Sequence, residues 1–519
     1  MIPFGVTPRV RADALLARDW DVVVVGAGIG GLMCAALLAT RAKMRVLVLE
    51  RHYEIGGLTQ TFRRRRYAWE VGVHYVGDVG AGMPARMLDV ACGGRVSWAR
   101  MPVAHDRLIA PGIDLRMGGD RAALRGQWLS VARGEERAVD RVLDAVYECA
   151  RAAPRQMVSR LRPGGPAHAP FLAYSDRTAA EVLADAGASP TLAMLAGYTW
   201  TDYGSPPEEA SFAALAVITA HYLDGAFYPV GGGGVLARTM TETIARAGGA
   251  VVVRAEVERA NVKDGRAVGV TLTDGTKIDA DVVVSDVGAR GTFDWLAPDA
   301  DASARMHAIG PSASHLGVYV GLARSPSECG LDGANLFITQ DAPGQPRRDW
   351  QHFARGDEPP ADLFVSTVCA SDPTFATRFP GRSVLSMASR IGISAFDRWR
   401  QKPQAHRDPS YGALKERLAA SMIDVARRHL PQLGEIDALE VSTPLSTRHF
   451  TNHASGEIYG LAPTPKRFRE GPGPHTSTRG LFLTGQDIWT GGIVGSAFGG
   501  LLSACAITKR DLFAELALR

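Results

Sequence analysis

The chain has little cysteine: six in 519 residues, at positions 34, 92, 149, 329, 369 and 505, with no CxxC pair. Scattered single thiols fit neither a disulfide frame nor a cysteine zinc site, and they suit a reducing compartment. The thirteen histidines show no HExxH or comparable ligand spacing, so no metal is expected. Charge of one sign is also scarce, and a net +4 over this length argues against nucleic acid as the main partner. There is no internal repeat and no low-complexity tract. With 46% hydrophobic and 22% charged residues, the chain has the balance of an ordered globular protein. Long apolar runs are limited to residues 22–39 and 491–507, and the glycines within both suit a nucleotide fold better than a bilayer span. Residues 1–20 hold Pro3, Pro8 and three arginines without an apolar stretch. No targeting segment is therefore expected, and the protein is read as cytoplasmic with any membrane contact peripheral.

What is present begins at residue 21. Residues 21–57 read DVVVVGAGIGGLMCAALLATRAKMRVLVLERHYEIGG: strand, Gly-rich turn, apolar helix, second strand, acid. That is the dinucleotide fingerprint in its required context. Gly26 makes the tight turn, Gly28 leaves room for a pyrophosphate, and Gly31 lets the helix pack on the sheet, with Gly30 between them. The helix beginning near Ile29 aims amide N–H groups and the positive end of its dipole at the pyrophosphate. Glu50 is placed to accept hydrogen bonds from the adenosine ribose and would repel a 2′-phosphate, which excludes NADP. Arg51 opens the stretch that leads to a second glycine pair, Gly56 and Gly57, followed by Leu58. Such a pair suits a chain passing closely along an extended FAD.

The far end supports the same choice. Residues 480–507 (GLFLTGQDIWTGGIVGSAFGGLLSACAI) read as a short strand, a polar turn with Gly485 and Asp487, and a helix of small residues. The start of that helix, at Gly491, Gly492 and Ile493, could face the flavin pyrimidine edge and stabilise negative charge on reduced flavin. A backbone amide at Val257 is placed to meet the adenine edge. Cys505 lies late in the apolar helix, so the FAD is expected to be non-covalent.

Between these ends, helical periodicity dominates from about 134 to 225, with Val139, Val142, Leu143 and Val146 on one face. Thr178 and Glu181 read as a capping box. Strands are expected at 251–254, 257–262, 268–272 and 282–285, then at 315–322, 363–369 and 383–388, with an exposed loop at 343–360. A helix spans about 411–429. The glycines at 231–234 read as a loop without a preceding strand, so no second nucleotide unit is expected. The fold class is α/β: a Rossmann-type FAD-binding domain, discontinuous over 18–90, 225–300 and 435–519, with an inserted α+β substrate domain of antiparallel sheet and helices over 91–224 and 301–434.

Five stretches carry a family resemblance: residues 22–57, 67–77 (YAWEVGVHYVG), 221–234 (HYLDGAFYPVGGGG), 443–460 (TPLSTRHFTNHASGEIYG) and 480–507. On these the chain resembles the flavoprotein group of phytoene desaturases, carotenoid isomerases and, most closely, retinol saturases, over nearly its whole length. The resemblance implies FAD and an apolar isoprenoid or polyene substrate whose C=C bonds gain or lose hydrogen, with saturation favoured over desaturation or isomerisation. Two rival readings share the fingerprint: a flavin amine oxidase or protoporphyrinogen-oxidase relative, and a non-catalytic prenyl-lipid-binding protein of the same fold.

Because the flavin carries the hydride, few catalytic side chains are needed. His74, near neutrality when unperturbed, is a candidate proton relay; Tyr75 and Tyr459 are further candidates. Electrons would come from or go to an external partner: quinone, oxygen or a separate reductase. The basic run at 63–66 (RRRR) is a candidate contact with an anionic membrane surface, as is the mixed aromatic and basic run at 396–402 (FDRWRQK).

Overall fold

A computed structural model describes residues 4–161 and 168–518; Met1 and Pro3 of the N-terminal stretch lie outside the described residues. The nucleotide sheet is built on β-branched runs. Strands β1 (Val6–Pro8), β2 (Trp20–Val25), β3 (Val46–Glu50), β4 (Ala250–Val253), β5 (Val257–Lys263), β6 (Arg266–Leu272), β7 (Lys277–Ser285) and β8 (Leu481–Leu483) form it in the order β1-β4-β3-β2-β7-β6-β5, with β8 against β7. The strands from β1 to β7 in that order, and β8, run parallel. β7 divides its length: Lys277 to Asp279 pair with β6, while Val283 to Ser285 pair with β8. Valines at 22, 23 and 24 are fully buried, as expected for a sheet covered on both faces.

Helix α1 (Ile29–Arg41) lies on this sheet, and helix α2 (Gly492–Thr508) lies on α1. The absence of side chains makes that approach possible. A Cβ on Gly500 would come within 2.6 Å of the Gly30 carbonyl, and one on Gly499 within 2.1 Å of the Gly485 carbonyl. Gly500 thus serves contact with α1, and Gly499 contact with the turn that follows β8.

A second sheet of seven strands, in the order 438–442, 315–322, 383–390, 362–366, 335–339, 106–110 and 113–117, carries the inserted domain. It is mixed, since Asn335–Thr339 runs parallel to Asp106–Ala110. Register sets its two faces. Phe364 pairs with Ala388 and Val365 with Met387; Val365 and Met387 pack with Leu418, Met422 and Val425 of the Pro409–His429 helix, so Phe364 and Ala388 point the opposite way. The helices at 136–159, 169–175, 179–185, 190–197 and 212–221 close over that open face. The Thr178–Glu181 capping box forms as expected.

Several expected boundaries move. β1 pairs with β4, so residues before 18 belong to the nucleotide sheet, and Ala438–Ser442 pairs with His315–Leu322, so residues up to 442 belong to the inserted domain. The 343–360 stretch carries a short helix, Trp350–Arg355. The 231–234 glycines follow a strand, Ala226–Pro229, and open a helix, Gly234–Arg246. That strand is antiparallel to both its partners, and a Cβ on Gly232 or Gly233 would strike Glu70. The glycines therefore accommodate a buried carboxyl and do not form a nucleotide turn. In the 396–402 run, Phe396 and Trp399 are buried and Lys402 pairs with Asp408, so it is a helix end in the core and presents no aromatic face to a membrane.

Candidate functional site

The carboxyl ends of β2, β3, β7 and β8 open into one cavity of about 440 Å³ that continues to the open face of the second sheet. This is where ligands bind in open α/β sheets. At its nucleotide end, Gly26 takes φ +106°, a value that side chains other than glycine rarely adopt, and Gly28 caps α1. Asp286, directly after β7, sits against that turn. A Cβ on Gly28 would lie 2.5 Å from its Oδ2, and one on Gly31 would lie 2.4 Å from the Gly26 carbonyl. Gly31 thus serves packing, as read, whereas the bareness of Gly28 is required first by Asp286. Burial pushes the Asp286 carboxyl up to about 8, against the opposing pull of the Gly31 and Gly28 amides. In its protonated form it would spare a phosphate at the start of α1 the repulsion of a second anion.

Glu50 lines the same end. Its Oε2 accepts from the Ala27 N–H at 2.9 Å and its Oε1 from the His52 N–H at 2.7 Å, while burial raises its pKa. The Gly56 N–H donates to the Ala27 carbonyl at 2.8 Å, and a Cβ on Gly57 would stand 3.4 Å from the Gly28 Cα, so the two glycine turns abut. Gly30, Leu58 and Val257 line this end too. So does Arg51, although its guanidinium donates to the His449 carbonyl at 2.9 Å and pairs with Glu256 at 3.2 Å. Across the cavity, α2 begins at Gly492 and Ile493, and the position a Gly492 Cβ would take is open space.

Three expected cofactor residues stand off the cavity wall. Besides Gly31, Gly485 packs against Gly30, whose Cβ would fall 2.3 Å from the Gly485 Cα. Asp487 is buried with both oxygens engaged: Oδ2 accepts from the Ala289 N–H at 2.7 Å and Oδ1 from the Leu461 N–H at 2.8 Å. Its carboxylate ties three loops together and does not face a ligand.

The far end is more apolar. Ala214, Val217 and Ile218 of the Phe212–His221 helix face Phe364 and Ala388 of the second sheet. His74 reaches this end with its ring 4.8 Å from Phe364, edge to face. Burial drives its pKa down to about 4, so it is neutral at pH 7 and the expected near-neutral relay does not hold. Tyr75 donates to Asp202 Oδ2 at 2.7 Å and stacks on Tyr222 at 4.3 Å. The Tyr459 ring is held between Gly204 and Gly491, a Cβ on either of which would come within 2.8 Å of it. His221, from the HYLDG stretch, accepts the Gly77 N–H at Nε2 (2.9 Å) and faces Asp78 through Nδ1 (3.2 Å), which assigns it the Nδ1–H tautomer and a bracing role.

Among the ionisable groups that no sequence motif marks as part of a site are Asp106 and Arg467, which are buried, and Asp286 and Asp202, which are partly buried along the cavity. Asp286 had a legible signal, since it follows a valine-rich strand as Glu50 does. The others lie in stretches without a motif. None of the six cysteines, all buried, lines the cavity.

A family profile described as an NAD(P)-binding Rossmann-like domain matches residues 24–87. The all-trans-retinol 13,14-reductase of Rattus norvegicus is 30% identical to this chain, over 96% of it and 87% of the relative. A chloroplastic prolycopene isomerase of Arabidopsis thaliana is 25% identical over 93% and 82%. Among solved structures, the cyclohexylamine oxidase of Brevibacterium oxydans superposes with a TM-score of 0.63 at 18% identity, covering 95% of this chain and 99% of that one, a likeness of fold.

Proposed function

The chain belongs to the family of the all-trans-retinol 13,14-reductases, and from that premise we propose that it is an FAD-dependent oxidoreductase that saturates a C=C bond of an apolar isoprenoid polyene. One observation carries this reading: a single cavity joins a dinucleotide end, with Gly28, Glu50 and Gly57, to an apolar end, with Ile218 and Phe364. FAD fits that arrangement better than a nicotinamide dinucleotide, because the cavity also runs past the start of α2, a second helix N-terminus available to the flavin ring. Gly28, Glu50, Gly57 and Val257 would hold the adenine half, and Gly492 and Ile493 the flavin. Bound FAD supplies a two-electron hydride carrier. The chain's own residues exclude water from the apolar end and orient the polyene between Phe364 and Ile218. Reducing equivalents come from a separate donor.

The test is direct. Anaerobic, pre-reduced protein is mixed with retinoids, carotenoids and their saturated precursors, and the products are weighed. A gain of two hydrogens with reoxidation of the flavin is expected. Loss of two hydrogens from oxidised enzyme would make it a desaturase, and an unchanged mass with a shifted spectrum an isomerase. If polyenes leave the flavin spectrum untouched while amines or porphyrinogens react, the assignment fails.

Delivery of such a substrate suggests a membrane surface. Among the described residues no helix is long and apolar enough to cross a bilayer. The Thr61–Arg64/Tyr67–Glu70 hairpin carries its four arginines exposed at the tip, a few residues beyond the cavity-lining Leu58 and Gln60. Each basic residue near an anionic surface is worth about 1 kcal/mol. Replacing residues 63–66 with glutamine is expected to weaken binding to phosphatidylserine vesicles at least tenfold; unchanged binding would leave the run a solvated rim.

A further inference from the structure

The cavity's apolar end contains a buried acid system that the flavin does not supply. Three segments distant in sequence meet there, around Tyr75, Asp106 and Tyr198–Asp202. The Tyr75 hydroxyl donates to Asp202 Oδ2 at 2.7 Å and stands 3.4 Å from Asp106 Oδ2, and the Tyr198 hydroxyl donates to Asp106 Oδ2 at 2.8 Å. Asp106 has no exposed side-chain surface, while Asp202 lines the cavity. No lysine or arginine pairs with either carboxyl among the described residues. The surrounding titratable groups are Tyr203, Tyr222 and Tyr459, together with His105, whose Nε2 lies 3.9 Å from Asp106 Oδ2. Arg347 faces Tyr203 but is paired with Asp362.

Two carboxyls that share one phenol in a site of low polarity resist ionising together. Burial, and then Asp106, push Asp202 up to about 8, with the Tyr75 hydrogen bond opposing; burial pushes Asp106 up to about 7. His105 is driven down to about 4 and cannot serve as counter-cation. Asp202 also stands near the chemistry: Tyr459, whose ring touches Gly491 at the start of α2, is wedged against Gly204, two residues from Asp202.

We propose that Asp202 is the proton donor of the reduction, with Tyr75 as the positioning residue that aims it into the cavity and Asp106 as the neighbour that disfavours its ionisation. The inference rests on the saturase reading above. Bound FAD in its reduced state would supply a hydride with its electron pair for one alkene carbon; as the π bond breaks, the neighbouring carbon takes its proton from the Asp202 carboxyl. Two C–H bonds form, and the Asp202 carboxylate is reprotonated from water. His74 is neutral and His221 is committed to Gly77 and Asp78, so neither competes as an acid.

Infrared spectra of the purified protein at pH 7 test the acid without any substrate. A protonated-carboxyl C=O band should be present, should fade as pH rises through about 8, and should be diminished in Asp202→Asn. A second measurement is the single-turnover rate against pH with a reactive polyene. In the wild type the rate should fall as pH rises through the Asp202 pKa. Tyr75→Phe removes a hydrogen bond that lowers that pKa, so the alkaline limb should move to higher pH; Asp106→Asn removes a neighbouring anion and should move it lower. Asp202→Asn should lose 10²–10⁴-fold in rate, roughly the contribution of a general acid. An unaltered band and pH profile in Asp202→Asn would overturn the proposal. If no polyene reacts with the wild type while the band behaves as stated, the saturase reading fails and the buried acid stands.

Discussion

Gly30→Val is expected to yield protein without flavin. The Cβ alone would sit 2.3 Å from the Gly485 Cα and 2.7 Å from Asp286 Oδ1, and the first obstacle is backbone that cannot rotate away. Valine adds two methyl groups to that contact. Relief requires α1 to lift from β8 and α2, which widens the turn that carries Gly28 and displaces the start of α2. Overpacking costs roughly 1–3 kcal/mol in a well-packed core, and here it falls on both halves of the proposed cofactor site at once. Absorbance of the purified variant near the flavin bands should be lost, and its melting temperature should drop. Gly412→Ala is the control. That glycine lies in the Pro409–His429 helix with nothing within 4 Å of a Cβ, so alanine there should raise stability by about 0.5–1 kcal/mol and leave flavin content unchanged. Wild-type flavin content in Gly30→Val would contradict the close approach of the three segments.

Arg467→Met is expected to be the most destabilising single change outside the glycines. Arg467 is 2% exposed, and its guanidinium donates to the carbonyls of Leu461 and Gln486, with longer contacts to Tyr459 and Trp489 at 3.5 Å. Burial lowers its pKa, and Asp487 partly restores it. Methionine matches the stem but donates nothing. Each carbonyl left without a donor costs roughly 1–3 kcal/mol, and removing the buried charge recovers only part of that. The segment carrying Tyr459 should loosen from the start of α2. Thermal melting reads the loss, and fluorescence of Trp489, on the same loop, reads the loosening. Lysine should rescue little, because an ammonium lacks the planar fork that spans two chain segments.

The parts of the fold that were legible in the sequence are those whose signals are local. The β2–α1–β3 unit carries its turn, strand and helix signals within some thirty consecutive residues. The capping box at Thr178 and Glu181 needs only four. The dipeptides Asp264-Gly265 and Asp274-Gly275 are turn signals of the same local kind, and they join β5 to β6 and β6 to β7. Strands Asp106–Ala110, Ile113–Met117 and Asn335–Thr339 are not legible in the sequence, because each is only five residues long and the 106–117 hairpin joins the sheet only through Asn335–Thr339, over two hundred residues away. The candidate site divides along the same line. Glu50, the paired glycines and the start of α2 announce themselves by motif, whereas Asp202, Asp106, Tyr198 and Tyr222 become neighbours only after three segments have packed. Asp487 differs for the opposite reason: a polar residue in a glycine-rich turn reads as a ligand contact, yet its carboxyl lies off the cavity wall and binds the Ala289 and Leu461 backbone.

The placement of β8 beside β7 also sets the order in which the protein can be completed. β2 and α1 emerge early, with fully buried valines and leucines that have no cover of their own. Their neighbours β7, β8 and α2 are synthesised roughly 260 to 480 residues later. At about 5–20 residues per second on the ribosome, the last of these follows β2 by roughly 25–95 s. Through that interval the nascent nucleotide sheet exposes an apolar parallel edge, the kind of surface that aggregates or engages chaperones. Cofactor capture must therefore come late in biogenesis, and flavin supply during expression should govern how much soluble protein accumulates.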